Sequence, residues 1–96
     1  MAIPNFAQSN SYPRTHKEAA ASGAQVITIA PRLTSAVYVM IDHTDGGTLS
    51  LGGGGGVKID GQEWQLAWLQ PAHPGTADDT IDVNVTTSAD LHIKVL

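Results

Sequence analysis

Apolar and polar positions alternate along most of this chain from residue 25 onward, at the two-residue period of a pleated strand. Over residues 25–30, Val26 and Thr28 share one face while Ile27 and Ile29 share the other, and Pro31 ends the run. Over residues 36–43, Val37, Val39 and Ile41 alternate with Tyr38, Met40 and Asp42. Asp45-Gly46-Gly47 is a turn signal, and the alternation resumes over residues 48–51, so these two strands are expected to form a hairpin. Five glycines at 52–56 follow, then Val57-Lys58-Ile59, a turn at Asp60-Gly61, and a segment with Trp64, Leu66 and Trp68 at alternate positions. Residues 70–79 hold Pro71, Pro74 and Gly75 and read as a loop. Ile81, Val83 and Val85 then alternate with Asp82 and Asn84. After a tight link at Ser88-Ala89, Leu91, Ile93 and Val95 alternate with His92 and Lys94. The pattern predicts an all-β domain, a small antiparallel β-sandwich or barrel of about seven short strands with no core helix.

Residues 1–23 lack this period. Pro4 and Pro13 interrupt any helix, and Ile3, Phe6 and Tyr12 are apolar anchors scattered among small polar residues. Thr15 is placed to cap a short helix over residues 16–22, with Glu18 completing a capping box and Gly23 as the stop. The chain therefore divides into an extended N-terminal arm, residues 1–23, and a β-sandwich domain, residues 24–96. The arm is either a disordered terminus or a segment that orders against a neighbouring subunit. In the second case Ile3, Phe6 and Tyr12 bury apolar surface on the partner while Arg14 and Lys17 meet acidic groups. The body is expected to fold without the arm.

Size and charge narrow the picture. Ninety-six residues make one domain with one modest core, and with 42% apolar but only 5% aromatic residues that core must be aliphatic. There is no cysteine, which removes disulfides and thiolate metal sites. Residues 1–32 carry a net charge of +2 and residues 33–96 a net charge of −6. An acidic body disfavours nucleic acid as a partner. No apolar run approaches the ~20 residues of a membrane-spanning helix, and the start of the chain lacks the basic and apolar regions of a secretory signal.

No residue set carries recognisable catalytic chemistry, so no enzyme activity, cofactor or metal is expected. The glycine run lacks the lysine and hydroxyl residue of a phosphate loop and is flanked by strands, which points to a sharp bend or a close backbone approach to a partner. His16, His43, His73 and His92 fall in four separate segments without ligand spacing. Trp64 and Trp68 share a face if their strand is regular. They then pack in the core or form an exposed surface platform for a sugar or a neighbouring subunit.

Val26 to Ile29, residues 36–41, the glycine-rich run from Leu51 to Val57, and the closing strands over residues 81–96 together resemble small β-rich phage virion proteins, the capsid decoration and head-fibre type domains. The resemblance covers about three quarters of the chain. It implies a non-enzymatic virion structural protein, made in the host cytoplasm, most simply a capsid decoration (cement) protein that binds the shell surface and stabilises it. A tail or head-completion component is the neighbouring alternative, and a carbohydrate- or surface-binding β-sandwich module is the alternative of another class. The partners it implies are the major capsid protein or other virion proteins. A homo-oligomer, trimer preferred, is expected because an aromatic-poor core gains from burying surface between chains.

Overall fold

A computed structural model describes residues 3, 5–7, 14–19, 23–51, 54–73, 75 and 79–96. The described residues form eight strands: β1 (Thr15–Glu18), β2 (Gly23–Ile29), β3 (Ala36–Ile41), β4 (Gly47–Leu51), β5 (Val57–Ile59), β6 (Gln65–Leu69), β7 (Ile81–Thr87) and β8 (Leu91–Val95). They pair into two four-stranded sheets, ordered β1-β8-β3-β6 and β2-β7-β4-β5, and every strand pair is antiparallel. The sheets pack face to face as a small all-β sandwich. Between them lie Ile27, Ile29, Val83 and Val85 from one sheet and Val37, Val39, Ile41, Leu91, Ile93 and Val95 from the other. These are the inward rows that the alternation predicts.

The connections are not the predicted ones. Only β4 and β5 are joined within a sheet; every other consecutive pair lies in opposite sheets. Residues 36–41 and 47–51 therefore do not form a hairpin. The turn after β3 carries the chain across the core, and the link at Ser88-Ala89 does the same between β7 and β8. Two crossings are locked together at Gly46 and Gly61. Gly46 has φ +62°, accepted readily only by glycine, and its N–H donates to the His43 carbonyl at 3.1 Å. A Cβ at Gly61 would collide with that same carbonyl oxygen. Gly54, Gly55 and Gly56, by contrast, have room for a Cβ or only a mildly tight neighbour. Within the chain, the close backbone approaches fall at Gly46 and Gly61 and not at the described glycines of the run.

The N-terminal residues correct the sequence reading further. Thr15–Glu18 is a strand, not a capped helix, and it pairs with β8 along its whole length. Phe6 is only 1% exposed, joins the core cluster, and makes an isolated parallel bridge to Ile29 on the free edge of β2. Ile3 packs partly buried against the same cluster. The described part of residues 1–23 is thus drawn into the sandwich. Burial explains it: the core between β1 and β2 is open at that edge, and one phenylalanine fills it.

Candidate functional site

Of the residues expected to hold a partner, Phe6 and Arg14 are turned into the fold, Ile3 packs partly buried against the core, and Lys17 stays on the surface. Phe6 has no surface left to offer a neighbour. Arg14 acts as a clasp, its guanidinium donating to the Phe6 carbonyl at 2.9 Å, the Leu33 carbonyl at 3.1 Å and Thr34 Oγ1 at 3.4 Å. It ties the N-terminal segment to the 3-10 turn at Pro31–Leu33 that links β2 and β3. Lys17 lies 3.6 Å from the Asp90 carboxylate across the β1–β8 pair. Tyr12 falls outside the described residues.

The two tryptophans do not form a joint platform. Pairing runs Val37 with Trp68 but Tyr38 with Leu66, so Ala67 is an extra residue in β6, a β-bulge. Ala67 and Trp68 are both buried as a result. Trp64 and Leu66 are shifted to the outer face, where they are about half exposed, Trp64 by 50%. A regular strand would have kept Trp64 and Trp68 on one face; one inserted residue separates them.

With the register known, both outer faces can be described, because residues paired directly across strands point to the same side. On the β1-β8-β3-β6 sheet, Lys17, His92 and Met40 form one row, which Trp64 extends beyond the end of β6. Thr15, Lys94, Tyr38 and Leu66 form the next. Thr15, Lys17, His92, Lys94 and Trp64 line a shallow groove there. On the β2-β7-β4-β5 sheet, the outward rows are Ala24, Thr86, Thr48 and Lys58, then Val26, Asn84 and Ser50, then Thr28 and Asp82. That face is largely hydroxyl, amide and carboxylate, with Thr28 Oγ1 donating to Asp82 at 2.9 Å. One face of the sandwich is mostly polar, with Val26 half exposed among its hydroxyl and amide groups; the other mixes aromatic, thioether and cationic side chains.

A second groove opens at the β5–β6 edge, lined by Leu49, Leu51, Val57, Ile59, Leu66, Gly54 and Gly55. Sequence alternation reads Leu49, Leu51, Val57 and Ile59 as core, and by register they do face inward. The signal for an edge was the three-residue length of β5 beside a glycine run.

Among the described residues, no three His, Asp or Glu side chains are grouped to hold a metal ion, and no helix is long and apolar enough to cross a membrane. Comparison with protein-family models, with curated proteins and with solved structures finds no match to this chain.

Proposed function

We propose that this chain is a non-enzymatic virion structural protein, a capsid decoration protein that seats on the shell surface and works by contact alone. The observation that supports this reading is the difference between the two outer faces. A protein lying on a shell needs one face suited to protein and one suited to water. Trp64, Leu66, Tyr38 and Met40, with Lys17 and Lys94 beside them, have the aromatic and cationic character common at the centres of protein interfaces. Thr28, Thr48, Ser50, Asn84 and Thr86, with Val26 as the one large apolar side chain described among them, give the opposite face the largely solvated character of an outer surface. Small contacts repeated over a symmetric shell add up through avidity, so no single site need be strong. The homo-oligomer, trimer preferred, belongs to the same reading.

The carbohydrate-module reading loses one of its two rings, because Trp68 is buried at 7% exposure. The deciding experiment is co-sedimentation with phage capsid shells that lack this protein, combined with a glycan-binding screen. Shell binding weakened by Trp64→Ala or Tyr38→Ala, but not by Thr48→Ala or Asn84→Ala, is the expected result. Glycan binding lost in a folded Trp64→Ala variant, with no shell binding, would overturn the decoration reading in favour of a sugar-binding module.

A further inference from the structure

Of the five lysine and arginine side chains, three are engaged with backbone carbonyls. Arg14 donates to Phe6 and Leu33, Arg32 to Gly75 at 3.2 Å, and Lys58 to Asp45 at 2.9 Å. The other two, Lys17 and Lys94, stand on one outer face and line the same shallow groove, together with His92 and Trp64. Lys17 reaches Asp90 at 3.6 Å, with both side chains open to water, and Lys94 has no carboxylate partner among the described residues. No carboxylate lines the groove. In a chain of net charge −4, the cations with charge to offer are gathered beside a tryptophan that is half exposed.

We propose that this groove takes a short, extended acidic segment of a partner protein, its carboxylates on Lys17 and Lys94 and an apolar side chain against Trp64. The inference rests on the preceding reading, that this face seats on protein, and names the chemistry that the partner supplies. Charge complementarity carries it, and the spacing fits. Thr15 pairs with Lys94 and Lys17 with His92, so the two lysines are diagonal neighbours about 7–8 Å apart. Alternate side chains of an extended peptide stand about 7 Å apart, so two carboxylates at that period can meet both ammonium groups. The cationic strip is short. Asp42 and Asp90 meet at one end of the face, joined by a backbone hydrogen bond at 2.9 Å, and Glu63 adjoins Trp64 in the chain. A uniformly charged polymer such as a nucleic acid or a sulfated glycan would run onto these acids, whereas a peptide can place its acids only where lysine waits. A second copy does not supply such a segment. Of the edge strands β1, β2, β5 and β6, only β1 carries an acid, and Glu18 is turned inward onto His16.

The test uses the full chain in two arms, with shells and without. In co-sedimentation with shells that lack this protein, binding is expected to weaken as salt rises. It is expected to fall about tenfold in a double variant, Lys17→Glu with Lys94→Glu, because two surface attractions become repulsions. Lys58→Glu, a reversal on the other sheet, is expected to bind as wild type does. In the second arm, a synthetic peptide of alternating glutamate and valine is titrated against the protein and followed by tryptophan emission, with heparin and a DNA oligonucleotide as rival anions. The peptide is expected to shift the emission of wild type but not of the double variant or of Trp64→Phe. If the double variant fails to fold by circular dichroism, Lys94→Gln decides, because that exposed side chain lies outside the core. Shell binding indifferent to salt and to the reversed lysines, a peptide that leaves the emission unchanged, or tighter binding of heparin or the oligonucleotide would each overturn the proposal. Self-association of wild type that the double variant abolishes would also overturn it, making a second copy the occupant. Wild type that does not bind shells at all removes the decoration reading instead, and the peptide arm then decides the inference alone.

Discussion

At the β1–β2 edge of the sandwich the inward rows stop at polar or plugged positions, whereas at the β5–β6 edge they stop in water. The rows of the first sheet run from Val39 through Ile93 to His16, and from Ile41 through Leu91 to Glu18. His16 and Glu18 face each other at 2.9 Å, their side chains 10% and 17% exposed, and close the inner side of β1. Phe6 fills the space beside β2, and Arg14 holds its carbonyl in place. At the other edge, Val57 and Leu51 end their rows 65% and 46% exposed. The two edges arise from one chain with one kind of strand pattern. They differ in whether a neighbouring segment of the same chain covers the opening. The contrast teaches that alternation specifies a row's direction and says nothing about what terminates it.

The largest expected effect comes from removing the cover altogether. A chain starting at Gly23 loses Phe6, Arg14 and all of β1, which strips an edge strand from one sheet and the plug from the core. Domains of this size have little stability in reserve, on the order of 5–15 kcal/mol in total. The truncated chain is expected to lose its cooperative thermal transition, followed by circular dichroism. A melt matching full-length protein would mean that the closed edge contributes nothing, and the contrast between edges would collapse.

Next in size is a matched pair of alanine substitutions, one at each edge. Phe6→Ala removes a fully buried ring and is expected to cost about 3–5 kcal/mol, as large-to-small changes in cores do. Val57→Ala at the open edge is expected to change the stability of a single chain by less than about 0.5 kcal/mol, since its side chain is already largely hydrated. Denaturant melts in dilute solution, where single chains predominate, measure both. Equal losses at the two positions would show that the edges are not different in kind.

These contrasts mark where the sequence was legible. The inward residues Ile27, Ile29, Val37, Val39, Ile41, Val83, Val85, Leu91, Ile93 and Val95 could all be read from the two-residue period, because the period is local. Sheet membership could not. Asp45-Gly46-Gly47 allows the chain to reverse direction, but whether the next strand pairs with the last one or crosses above it depends on which apolar rows meet. That is decided over long range. The bulge at Ala67 was invisible for a similar reason: only the pairing with β3 reveals that one residue is surplus, and with it the separation of Trp64 from Trp68. Phe6 was noticed as an anchor, yet a lone aromatic among prolines and small residues carries no period to show whose core it enters. Of the candidate surfaces, the outward Lys94 and His92 were implicit in the alternation, whereas the outward place of Trp64 and the assembly of all three into rows required the strand pairing.

Arg14 gives an intermediate effect that isolates the clasp from the plug. Arg14→Ala leaves Phe6 in the chain but removes the donors to two backbone carbonyls and to Thr34 Oγ1. Leaving such acceptors unpaired in a partly buried setting costs about 1–3 kcal/mol. Arg14→Lys keeps the charge but cannot span three acceptors in a fixed fork, so it is expected to recover less than half of the loss. Full recovery by lysine would show that the charge, and not the fork geometry, holds the N-terminal segment.

The smallest effect belongs to Lys17, and it tests whether surface charge helps to close the edge. Its ammonium stands 3.6 Å from Asp90, with side chains 55% and 36% exposed. Water screens a pair of this kind, and ordering a lysine side chain offsets part of what attraction remains, so such pairs contribute about 0–1 kcal/mol. Lys17→Ala is therefore expected to shift the melting midpoint by at most a few degrees, with the shift shrinking further at high salt as screening removes the pair's attraction in the wild type. The same substitution also removes one of the cations from the outer rows of the sheet, so its effect on shell binding can exceed its effect on stability. A loss of stability comparable to that of Phe6→Ala would mean that the β1–β2 edge is held by its charges, and the account of it as an edge closed by packing would fail.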